Sequence, residues 1–280
     1  MYFEIGAHKF MNIKKFFISI FFIIIFIIFI LSKFQYFKNL LIKIPPNVLL
    51  DKINTEFIKD EYFDCLNFDK DFKEEDKENY RDLINNNEFV KNFITNNDLK
   101  ILITNEDVNS IYFNLLNNTY KTSKNLRGLY IPNYKLIIMK NNDISNQILS
   151  LNDTLKNSLS KEILEKIKDK EEVRVRDIYD KEKILEVNRE INGNVFYHEI
   201  GHAILDFSDI DLKTKIKTYF YYKEESKYLF NRNYIVNNYE EFLAESISNY
   251  LNYGEVEHNS EKFNKNESKT SKFIKELIKN

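Results

Sequence analysis

The sequence predicts an α+β fold, mainly helical around a small mixed sheet, with one N-terminal membrane-spanning helix ahead of it. Three observations carry this. Gly and Pro are scarce, at 5 and 3 of 280 residues, which favours helix over turn-rich β architecture. Leu99-Lys-Ile-Leu-Ile-Thr104 and Gly128 to Met139 are short, apolar and β-branched, as strands are. Phe16 to Leu31 is one apolar run broken only by Ser19.

Residues 1–15 form a short leader carrying Lys9, Lys14 and Lys15, and Met11 is a second candidate start. Residues 16–32 are the expected span, and its apolar run 16–31 covers roughly 24 Å as a helix, a little under a bilayer core. Lys14, Lys15 and Lys33 can snorkel, and Phe34, Tyr36 and Phe37 suit an interface. A cleavable signal is the alternative, although Ser32-Lys-Phe-Gln-Tyr-Phe37 offers no A-x-A site. The run is read as an uncleaved single-pass anchor in the cell membrane with the rest of the chain outside. Cleavage would make the protein secreted.

Residues 33–47 read as a stalk punctuated by Pro45-Pro46, and residues 48–280 as one domain. Within it, helices are expected at 48–58 and around 80–94, and a strand at 99–104. Residues 112–120 are ambiguous. A hairpin over 128–139 turns at Pro132-Asn133, and residues 135–139 are the candidate open edge of the sheet. Residues 148–187 read as mostly helical, with Glu162–Glu172 a surface helix rather than a flap.

A net charge of −2 gives no reason to expect nucleic acid or anionic lipid as a partner. The single Cys65 excludes an internal disulfide, and it reads as a half-buried helix residue without a catalytic role.

Chemistry concentrates in Asn192-Gly-Asn-Val-Phe-Tyr-His-Glu-Ile-Gly-His-Ala-Ile-Leu-Asp206, with Asn192 or Asn194 as a candidate helix cap. His198-Glu199-Ile200-Gly201-His202 matches H-E-x-x-H. Residues four apart share a helix face, so both imidazoles can grip one Zn2+, with Glu199 placed to take a proton from water. The third ligand is not His: His8 precedes the apolar run and His258 lies in a charged tail. A carboxylate is the better candidate, from Tyr239-Glu-Glu-Phe-Leu-Ala-Glu-Ser246. There Glu241 and Glu245 share a helix face, one able to ligate the metal and the other to hold a ligating His.

These motifs resemble the lethal factor-like zinc metallopeptidases, the gluzincin family that includes anthrax lethal factor and the smaller Pro-Pro endopeptidases. The likeness lies in H-E-I-G-H-A, Tyr234 and Glu241-Phe-Leu-Ala-Glu245, and touches roughly residues 95–280. The resemblance implies a zincin-like domain with one zinc per chain, held by His198, His202 and Glu241. It further implies Glu199 as general base, Tyr234 as oxyanion donor, Glu245 as orienting residue and a protein or peptide substrate bound in extended form. The expected activity is endopeptidase cleavage outside the cytoplasmic membrane. The alternative is a catalytically silent, zinc-containing peptide-binding module at the cell surface.

Overall fold

The computed structural model describes residues 46–116, 126–168, 170, 172–230, 233–254 and 268–279. The expected leader, membrane anchor and most of the stalk (1–15, 16–32 and 33–45) lie outside these residues. Among the described residues, no helix is long and apolar enough to cross a membrane. The chain divides into two compact units, residues 1–49 and 50–280; the first helix crosses this boundary, and every later element lies in the second unit.

The first helix, α1 (Pro46–Glu56), begins earlier than expected, because proline is well placed in a helix's first turn. It runs into a hairpin of β1 (Phe57–Lys59) and β2 (Leu66–Asp69). Two helices follow, α2 (Glu74–Asn85) and α3 (Glu88–Asn96), the second capped by the Asn87 side chain on Val90 N–H. β3 (Lys100–Thr104) leads into α4 (Val108–Leu116). β4 (Gly128–Ile131) turns through a 3₁₀ helix at Pro132–Tyr134, with Lys135 left-handed at φ 48°, into β5 (Leu136–Lys140).

The resulting five-stranded sheet has the order β1-β2-β3-β5-β4, parallel along β2-β3-β5 and antiparallel at both ends. This corrects one expectation. Residues 135–139 are not the open edge: β5 is paired on both sides, and among the described residues the edge strands are β1 and β4. The physical reason is that Leu136, Ile137, Ile138 and Met139 are all buried, two on each face, and an unbroken apolar run belongs in the middle of a sheet.

Residues 148–187, expected to be mostly helical, also hold a second small sheet. There β6 (Ile148–Ser150) pairs antiparallel with β7 (Glu172–Arg174), enclosing short helices α5 (Asp153–Ser158) and α6 (Lys161–Lys166). Ile167, Val173 and Ile178 give this excursion its own small core. A one-turn α7 (Val175–Ile178) then precedes α8 (Lys181–Phe207).

α8 is far longer than the motif requires, and it is capped by Asp180, not by Asn192 or Asn194. Asn192 is buried in mid-helix. Its carboxamide accepts from Asn142 N–H at 2.9 Å and donates to Asn141 Oδ1 at 3.1 Å, while Asn188 accepts from Ile144 N–H at 2.9 Å. These two side chains hold the segment leaving β5 against the helix. Cys65 is likewise not helical: it sits half-buried in the turn before β2, where burial pushes its thiol up to about 11.

Phe196, Tyr197, Ile200, Ala203 and Ile204 of α8 pack on the sheet face formed by Phe68, Ile101, Ile103, Ile137 and Met139. After α8 come α9 (Leu212–Leu229), α10 (Asn233–Asn237), α11 (Tyr239–Tyr253) and α12 (Lys269–Lys279).

Candidate metal centre and cleft

Two helices and one strand build the site. α8 presents His198, Glu199 and His202, α11 presents Glu241 and Glu245, and β4 forms the opposite wall. The helices meet closely at Gly201 and Ala244. A methyl group added at Gly201 would lie 2.7 Å from Ala244 O and 3.0 Å from its Cα, so only glycine allows this approach. α11 starts where it does because Asn238 accepts from the N–H groups of Glu240 and Glu241. Glu241 in the first turn and Glu245 one turn later therefore face His198.

The distances are those of a ligand set. His198 Nδ1 lies 2.8 Å from Glu245 Oε2, and His198 Nε2 lies 3.1 Å from Glu241 Oε2 and 3.2 Å from His202 Nε2. His202 Nε2 is 3.6 Å from Glu241 Oε1. Four ligands about 2.05 Å from a common zinc stand ~3.3 Å apart along the tetrahedron's edges. The one-ligand-per-residue atoms of His198, His202 and Glu241 all lie within 4.8 Å of one another.

The chemistry of the donors agrees. Glu245 selects the tautomer with the proton on His198 Nδ1, which leaves the Nε2 lone pair facing the Glu241 carboxylate and His202 Nε2. Converging lone pairs require a proton or a cation between them. Burial disfavours a charged His198, but hydrogen bonds to Glu241 and Glu245 outweigh it and raise the ring to about 10. The same imidazoles, His198 first and His202 next, hold Glu241 well below the usual carboxylate range. A cation of the zinc type fits this set.

Glu199 is buried, and that burial is the main cause pushing its carboxyl upward; the nearby imidazoles and the Tyr130 N–H pull the other way. It rests on β4, where a methyl group at Gly128 would stand 2.6 Å from Glu199 Oε1. Replacing Gly128 by any larger residue would evict the carboxylate.

The cleft above these groups has a volume of about 1070 Å³. Its far wall is the edge strand from Gly128 to Tyr130, and Tyr130 Oη donates to Asp206 Oδ2 at 2.7 Å. Tyr239 rims the opening and Tyr197 is core, its hydroxyl donating to Leu83 O at 2.8 Å. The structure thus brings His198, Glu199, His202, Glu241 and Glu245 together. Tyr234 falls on α10 by its backbone, and its side chain lies outside what is described; His8 and His258 lie outside as well. Sequence reasoning missed Gly128, Gly201 and the Tyr130–Asp206 pair. Gly201 and Ala244 carried a signal, since small residues inside two amphipathic helices mark a close crossing.

Compared with models of known protein families, with curated proteins and with solved structures, the chain matches none.

Proposed function

We propose that the protein is a zinc-dependent endopeptidase acting on extended protein segments, in the manner of the lethal factor-like family its motifs resemble. The observation that supports this best is the joint placement of three converging ligand atoms and the buried Glu199 carboxylate in one open cleft. His198, His202 and Glu241 would hold one zinc, and Glu245 would fix the His198 ring. The ion supplies a Lewis acid for the scissile carbonyl and lowers the pKa of water.

The remaining work falls to the chain. Glu199, pushed upward by burial, would take a proton from the attacking water and pass it to the departing amine. Tyr234, seven residues before Glu241, is the proposed donor to the developing oxyanion. β4 is an edge strand among the described residues and would take a substrate strand along its outer side; Glu199 lies against β4, so a peptide added there would pass over the base. With the apolar run 16–31 as anchor, this cleavage takes place at the outer membrane face.

The test is cleavage of a peptide library by the full chain, its chelated form and Glu199→Gln. Cleavage by the untreated parent alone supports the reading. Equal cleavage by all three would show that another site is responsible.

A further inference from the structure

α9 buries one side of mixed polarity and exposes a large apolar stripe on another. Thr218, Tyr222 and Leu229 are buried against the domain, and Tyr222 Oη donates to Val236 O at 2.8 Å. The outward side should then be polar, and it is not. Leu212 is 73% exposed, Ile216 51% and Phe220 59%, at i, i+4 and i+8, with Tyr219 beside them at 44%. Residues at this spacing form one stripe along the helix. Four of the large exposed apolar side chains thus fall within nine residues, where scattered single ones are the norm.

Charge flanks the stripe. Residues 212–223 contain Lys213, Lys215, Lys217 and Lys223, all exposed, and no acidic residue. Lys223 Nζ lies 5.3 Å from the Tyr219 ring centroid and 5.1 Å from that of Tyr222. Asp211, just before the helix, is engaged in capping it through Thr214 N–H at 2.6 Å. The chain's net charge of −2 conceals this local excess of four positive charges.

We propose that the outward face of α9 docks on an anionic membrane surface. An apolar stripe edged by lysines, on a convex helix rather than in a groove, is what an interfacial helix requires: the apolar row enters the headgroup boundary and the lysines meet acidic headgroups. The sequence also places a membrane within reach. Residues 32–45 separate the apolar run from α1, and fully extended they span at most about 50 Å. Docking would fix the cleft as well, because Ile210 and Lys215 at this end of α9 line its rim. Substrate would then be presented close to the bilayer. The choice of a membrane as occupant rests on α9 together with the proposed anchor at 16–31, and does not depend on the metal.

The test uses the full chain with Cys65→Ala and a single new thiol at Ile216→Cys, carrying an environment-sensitive fluorophore. It is reconstituted in vesicles of phosphatidylcholine alone or with about 30% phosphatidylserine, a fraction chosen to give a physiological surface potential. The same label at Tyr179→Cys, an exposed site on another element, is the control. Docking predicts a blue-shifted emission and quenching by spin-labelled lipid at position 216, only with phosphatidylserine, and none at 179. Lys213→Glu with Lys217→Glu should abolish it, since each lysine contributes roughly fivefold to the docked population. A probe that stays water-exposed in both vesicles overturns the proposal. A blue shift that lipid does not quench, and that grows with protein concentration, overturns it in favour of a second copy covering the stripe.

Discussion

α8 and α9 break the same rule in opposite directions. α8 buries Glu199 and draws His198, His202, Glu241 and Glu245 into a half-enclosed cluster, although ionisable groups belong in water. α9 exposes Leu212, Ile216 and Phe220, although apolar groups belong inside. On α8 His198 is partnered by Glu241 and Glu245, and burial still weighs on Glu199, so the cluster calls for a cation to balance its converging donors. On α9 the side chains of Leu212, Ile216 and Phe220 remain exposed among the described residues, and the proposed membrane contact would offset that exposure. The contrast teaches that a buried cluster of converging donors points to a ligand held inside the fold, whereas an exposed apolar row points to a contact on its surface.

The contrast can be sharpened by substitution. Glu199→Gln keeps size and hydrogen bonding but removes the base, so kcat should fall by about 10²–10⁴ with zinc retained; stopped assays on a peptide substrate with parallel metal analysis check this. Tyr234→Phe should lower kcat by about 10²–10³ at nearly constant KM if its hydroxyl meets the oxyanion. Glu245→Gln should weaken zinc binding by about 10–100-fold, read by competition with a chelator, because the His198 ring loses its charged partner. Gly201→Ala should destabilise the fold by about 1–3 kcal/mol, since the Ala244 backbone cannot yield without separating α8 from α11; thermal unfolding reports it. The smallest effect belongs to α9. Leu212→Ser with Ile216→Ser should change stability by only about 0.5 kcal/mol and leave cleavage of a soluble peptide intact.

What the sequence made legible follows from distance along the chain. The H-E-x-x-H pair and the Glu241/Glu245 pair are helix-face relations within one or two turns, so residue spacing alone exposes them. The strands at 100–104 and 136–140 are continuous apolar runs and were equally plain. β1, β6 and β7 hold only three residues each, with Lys59, Glu172 and Arg174 among them, and they exist because a partner strand pairs with them. Strand order is non-local in the same way, which is why the edge fell to β4 and not to 135–139. Asn192 looks like a cap until Asn141 and Asn142 come up beside it. The outward side of α9 could not be read either, because its apolar residues encircle the helix and only the fold decides which are covered.

The central claim is that His198, His202 and Glu241 hold one metal ion. Zinc content combined with zinc-edge X-ray absorption on the purified full chain tests it most directly. The account predicts one zinc per chain, bound by two imidazole nitrogens and a carboxylate oxygen at about 2.0–2.2 Å, with His202→Ala losing the stoichiometric ion. A chain that takes up no zinc, or a His202→Ala variant with an unchanged spectrum and stoichiometry, would contradict it.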